Sequence, residues 1–276
     1  MFEANPFAVL SEMIPAAAQQ TYVVLMVILV IGGTILDMMH KRSAEYFFAN
    51  AKKARENAVR QVSGGEKASL AVSTLTNEVL TSGEFQNPQR RVSHLFTMYG
   101  FIFFVASTAV MIFSETPASF WNVLWHLGAL MVCIGGYWFW FFIRVDVSAE
   151  GHPWYRLVRA DLFIVSLLTT ATFALLWSAT LSADPSGFNW LLFTLFILSS
   201  TTLFGTVLWS KFAHMFFKPA AAYQKRVTKA DGSRENLPKP ADRTDPADYD
   251  RHSMELLKDA PMDMGLGIKR EPPRHY

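Results

Sequence analysis

The chain has 276 residues, of which 51% are hydrophobic and only 17% charged, whereas an ordinary soluble domain carries roughly a quarter charged residues. The formal net charge is +2, and the few charges leave long uncharged runs between them, which excludes an ordinary soluble domain and gives no footprint for a nucleic-acid partner. A lone cysteine, Cys133, excludes an internal disulfide and any iron–sulfur cluster held by this chain, since clusters are usually held by four cysteines.

In chain order, the uncharged runs lie at residues 21–36, 95–113, 120–143, 162–181 and 188–210. A hydrocarbon core about 30 Å thick needs roughly 20 apolar residues as helix, so each run predicts a membrane span. With flanking residues the spans are expected at 18–39, 94–113, 120–143, 160–181 and 188–212. The expected fold is all-α: an integral membrane bundle of five transmembrane helices over 1–219, followed by an extended tail over 220–276. No Lys or Arg precedes Lys41, so the first run lacks the basic flank of a cleavable signal peptide and reads as an anchor.

All 25 Lys and Arg fall in residues 40–91, 144–159 and from 211 onward, which alternate with the segments that have none. The positive-inside rule therefore predicts an amino terminus outside, a carboxy-terminal tail in the cytoplasm and a multi-pass protein of the cytoplasmic membrane. Tyr137, Trp138 and Trp140 at one boundary and Trp121, Trp125 and Trp190 at the other read as interfacial belts, for which lipid anchoring is sufficient explanation.

The connection over 40–92 opens with helix formers from Lys41 to Gln61, including Lys52, Lys53, Arg55 and Arg60. It predicts a helical stem that meets headgroups or docks a partner. After Gly64-Gly65, residues 68–80 predict a short interfacial helix that ends by Ser82-Gly83. The tail is expected to be extended because Pro238, Pro240, Pro246, Pro261, Pro272 and Pro273 interrupt it; Met254, Leu256 and Leu257 and the closing residues could order on a partner.

Between their ends the spans hold no ionisable residue except His126, with Asp37 and Asp161 at boundaries, which argues against a pump or transporter. His94 opens the second span and His214 follows the fifth, at similar depth. Two imidazoles on separate helices can serve as axial ligands of a b-type haem, with Arg90, Arg91 and Lys211 near enough in sequence to pair with its propionates, and with Gly100 and Gly205 lacking bulk that a macrocycle would meet. Histidine at a membrane interface is also common without any metal, so both readings stand on the residues alone. His126 reads as a packing residue, and Ser199, Ser200, Thr201 and Thr202 as backbone-bonding or helix-contact groups.

The five-helix plan with histidines on the second and fifth spans resembles the respiratory nitrate reductase gamma-type cytochrome b family, whose members pass electrons between quinones and a cytoplasmic complex. Trp209-Ser210-Lys211-Phe212-Ala213-His214 is similar to the end of the membrane domain in quinone-interacting oxidoreductases and heterodisulfide-reductase-type cytochromes. Arg90-Arg91-Val92-Ser93-His94-Leu95, Gly135-Gly136-Tyr137-Trp138-Phe139-Trp140 and the ending from Lys269 to Tyr276 resemble membrane anchors associated with dissimilatory adenylylsulfate reductase. The resemblance implies a non-catalytic electron-transfer or anchor subunit, a cytoplasmic flavin and iron–sulfur partner, quinone as electron donor or acceptor, and haem b at His94 and His214. Two-haem members carry a second histidine pair, in place of which this chain has phenylalanines such as Phe104 and Phe196, so at most one haem of that type is expected. A haem-free anchor that only recruits the reductase predicts the same topology.

Overall fold

A computed structural model describes residues 5–41, 43–83, 85, 87–147, 151–181, 186–210 and 214–233. It is all-helical, and five helices are long and apolar enough to cross a membrane: Ala16–His40, Pro88–Phe113, Ser119–Ile143, Arg159–Thr180 and Gly187–Gly205. The chain is a five-helix, multi-pass membrane protein.

Helix α1 (Pro6–Leu10) is a single turn and a half, started by the Asn5 side chain accepting from Phe7 N and by Pro6, whose missing N–H costs nothing at a helix start. Helix α2 (Ala16–Lys41) is the first span, and α3 (Ser43–Glu56) follows it. Helix α4 (Gly64–Thr74) starts at Ser63, whose hydroxyl accepts from Glu66 N, and runs into a π-helical turn over Leu75–Leu80. Helix α5 (Pro88–Phe113) begins well before the expected boundary, because Asn87 accepts from Gln89 N and Arg90 N and Pro88 sits in the first turn. Helix α6 (Ser119–Trp138) closes with a π-helical turn at Phe139–Ile143, and α7 (Leu162–Thr180) follows a 3₁₀ turn at Arg159–Asp161.

Helix α8 (Gly187–Gly205) stops short of the expected end of the fifth span. Gly205 and the Thr206 hydroxyl, which bonds Thr202 O at 2.6 Å, favour a helix end, and the chain continues as a 3₁₀ turn at Val207–Trp209. Helix α9 (His214–Ala230) then carries the chain into the region expected to be extended. Its Ala220-Ala221-Ala222 run and long polar residues are good helix formers, and the prolines that interrupt the tail begin only at Pro238. The tail beyond residue 233 lies outside the described residues.

The spans form a ring of neighbours, α2–α5–α6–α7–α8 and back to α2. The α5–α6 contact is the most intimate, and glycine explains it. A Cβ on Gly128 would stand 2.6 Å from Phe104 N, one on Gly100 2.7 Å from Gly128 O, and one on Gly135 2.6 Å from Ser93 O. Ser93, Gly100 and Ser107 recur every seven residues along the buried α5 seam, and the Ser93 hydroxyl donates to Gly135 O at 2.8 Å. Gly100 thus admits the α6 backbone, and the space a macrocycle would use there is filled.

The ring's centre is aromatic. Phe104 stacks on Trp125 at 5.2 Å, Phe196 on Trp177 at 5.8 Å, and Phe104 meets Phe196 edge-on at 6.5 Å. Phe7 of α1 enters one mouth, 5.7 Å from Trp125 and 5.6 Å from Trp177. At the opposite, basic end, α3, α4 and α9 pack into a small helical cap. Arg226 joins α9 to α4 through Ser73 and to the π-helical turn through Glu78, both at 2.7 Å, and Asp231 O accepts from Val59 N and Arg60 N.

Candidate functional site at the basic end of the bundle

His94 lies in the second turn of α5, half-buried, where the helix leaves the basic connection. Its Nδ1 is 3.0 Å from the Ser82 hydroxyl, and its ring centroid is 4.9 Å from that of Phe85. Ser82 is 1% exposed and adopts φ +48°, a left-handed conformation that turns the chain sharply after the π-helical turn. Gly83 N bonds Asn77 O at 2.7 Å, and Tyr99 of α5 donates to Leu80 O at 2.7 Å, so the turn is pinned on both sides.

Arg90 and Arg91 converge on the same turn. The Arg91 Nε donates to Thr81 O at 2.7 Å, and the Arg90 guanidinium lies 5.6 Å from the Phe85 ring centre. A third cation arrives from α9: Lys218 Nζ is 5.4 Å from that ring. Phe85 therefore bridges α5 and α9. His214 is the first residue of α9, one turn before Lys218, so His94 and the start of α9 share one end of the bundle. Lys211 lies outside the described residues. The sequence singles out His94, Arg90 and Arg91 but not Ser82, Phe85 or Lys218; the only sequence signal for Lys218 is its four-residue spacing from His214.

A haem b held at this end would call on His94 and the arginines beside it. A ligating histidine usually has its other ring nitrogen held by a hydrogen-bonding partner, the place Ser82 takes at His94, and arginines beside it suit carboxylates of a propionate. Two other regions are packed instead. His126, 2% exposed, has Nδ1 2.8 Å from Asn122 O and Nε2 2.8 Å from the Ser178 hydroxyl, which joins α6 to α7. Ser200 and Thr201 meet the Tyr22 hydroxyl at 2.7 and 3.0 Å, joining α8 to α2.

Comparison with protein-family models, with curated proteins and with solved structures finds no match.

Arg144 is the strongest feature that the sequence conceals. It is fully buried where α6 ends. Its guanidinium donates to Pro153 O at 2.8 Å and Arg156 O at 2.7 Å, pairs with the Asp161 carboxylate at 2.5 Å, and lies 4.2 Å from the Trp140 ring centre. Asp161 also accepts from Val158 N at 2.9 Å. One cation thereby ties the end of α6 to Pro153, Arg156 and Asp161 on the approach to α7.

Proposed function

We propose that this protein is a membrane anchor and electron-transfer subunit that joins a cytoplasmic oxidoreductase, of the adenylylsulfate reductase kind, to the quinone pool through one haem b. The reading is supported by one observation above others: His94, with Nδ1 on Ser82 and with Arg90 and Arg91 beside it, shares a bundle end with the helix that begins at His214. His94 and His214 would hold the iron, and Arg90, Arg91, Lys211 and the added Lys218 would offset the propionates. Bound there, haem b supplies a one-electron relay. The chain's own part is to fix the ring of His94, gather cations and exclude water. By the positive-inside rule this end faces the cytoplasm and the amino terminus lies outside. Electron transfer is then confined to the cytoplasmic half of the membrane, because the aromatic stack of Phe104, Trp125, Trp177 and Phe196 fills the bundle's interior.

A haem-free anchor that only recruits the reductase is favoured by a different observation. Helix α8 ends at Gly205, so His214 opens a separate amphipathic helix instead of extending a span. A reduced-minus-oxidised spectrum of the detergent-purified protein, with haem quantified as the pyridine hemochrome, separates the two. One b-type haem per chain is the expected result. Protein without haem after expression with haem supply would leave recruitment as the function.

A further inference from the structure

The connection between α6 and α7 spends a buried charge on holding a surface. Arg144 draws in the carbonyls of Pro153 and Arg156 and the carboxylate of Asp161. Gly151, at φ +64°, turns the chain so that its N–H reaches Asp146 O and His152 N reaches Arg144 O. A loop tied down from within usually turns polar groups outward. This one turns out Val147 at 90% exposure, Tyr155 at 70%, Leu157 at 66% and Trp154 at 57%. Arg156 and Arg159 stand exposed among them, with Asp146 exposed near the start of the loop.

The occupant of this surface is indicated by what it joins. Trp154 meets Phe141 at 6.4 Å, and Phe141 and Phe142 are exposed on the last turn of the third span. The apolar strip on the span's outer face thus reaches the loop through the Phe141–Trp154 contact. Trp, Tyr and Arg at that depth are the residues that favour the headgroup layer, where a ring has one apolar and one wet side and a guanidinium meets phosphate. We infer that the described part of this loop, residues 145–147 and 151–159, is a preformed interfacial anchor. Val147, Trp154, Tyr155 and Leu157 seat in the headgroup layer of the bilayer that the protein spans, and Arg156 and Arg159 bind lipid phosphates. The inference holds in either membrane orientation and does not depend on haem.

The test uses the full-length protein with Cys133→Ala, reconstituted in phosphatidylcholine vesicles and labelled with an environment-sensitive fluorophore at Leu157→Cys. The control is the same label at Val59→Cys, 82% exposed in the cap at the same end of the bundle. The expected result is blue-shifted emission at 157, strong quenching by phosphatidylcholine spin-labelled near its headgroup, and iodide quenching several-fold weaker than at 59. Adding Arg144→Met, which releases the loop, should raise iodide quenching at 157. A label at 157 that iodide reaches as readily as at 59 would overturn the inference and leave the patch as a surface for a soluble protein.

Discussion

At the residue scale two side chains, His94 and Arg144, make contacts that the sequence around them does not announce. If His94 is an axial ligand, His94→Ala should remove the b-type absorption while the protein still inserts and purifies. Ser82→Ala is the finer experiment, because it removes only the partner of Nδ1. Loss of such a partner typically weakens metal affinity about 10–100-fold, so haem should be retained at purification and lost faster to apomyoglobin. Indistinguishable transfer rates would mean that Ser82 only shapes the turn. Arg144 makes a prediction independent of any cofactor. Breaking a buried ion pair from one side costs about 3–5 kcal/mol, because the remaining charge is left uncompensated. Arg144→Met should therefore lower thermal stability in detergent markedly, and adding Asp161→Leu should recover part of the loss. An additive double variant would show that the carbonyl bonds matter more than the ion pair.

At the scale of elements, the α5–α6 contact is set by glycine to within a methyl group. The nearest atoms to a Cβ at Gly128 are backbone, Phe104 N at 2.6 Å and Gly100 O at 2.8 Å, so no side-chain rotation relieves the clash. Gly128→Ala should push the helices apart and destabilise by about 1–3 kcal/mol, as overpacking does. Gly32→Ala in α2, where a Cβ would meet nothing within 4 Å, is the matched control. Thermal melts of the two variants in one detergent decide it.

The cap adds a pH dependence with a definite sign. The Arg60 guanidinium, bonded to the carboxylate, holds Glu66 below the usual carboxylate range, and the carboxylate raises Arg60. Glu66 lies in the first turn of α4, where negative charge is favoured. Its contribution is present above the ordinary carboxylate pKa and is lost as pH falls through the depressed value. Both groups are solvent-exposed, so the effect is small and local. Corrected for the intrinsic pH dependence of exchange, the protection of amides in the first turn of α4 should fall on acidification more than that in the spans, and Glu66→Gln should abolish the difference.

These elements also show how far the sequence could be read. The five spans are legible because uncharged length is itself the physical requirement for crossing a bilayer, and the ends move only where local chemistry intervenes. Asn87 and Pro88 lengthen α5, and Gly205 with Thr206 shortens α8. His94, Arg90 and Arg91 are visible as residue types at a boundary. Ser82 and Lys218 are not, since they reach the site through a left-handed turn and a helix–helix contact that no periodicity encodes. Arg144 reads as one more basic residue at a span end, because burial is a property of the folded loop and not of the local sequence.

For the whole molecule, the proposed function turns on which part would hold a soluble partner at the membrane. Under the proposed function two candidates exist at the basic end: the helical cap and the tail beyond residue 233. They can be separated because the cap has a defined edge. Asp231 belongs to it, with its carbonyl accepting from Val59 N and Arg60 N and its carboxylate from Ser233 N at 2.8 Å. A truncation at Asp231 would remove those bonds and disturb the cap as well. Ending the chain after Ser233 leaves them in place. That truncation should preserve the melting temperature and any haem signal, since every described contact of the bundle and cap lies upstream. If the tail is the docking element, the reductase should move from the membrane pellet to the supernatant on ultracentrifugation, and restoring residues 234–276 should return it. Unchanged co-sedimentation would assign docking to the exposed Lys52, Lys53 and Arg55 of α3, and replacing those three with glutamine should then release the partner while the tail remains attached.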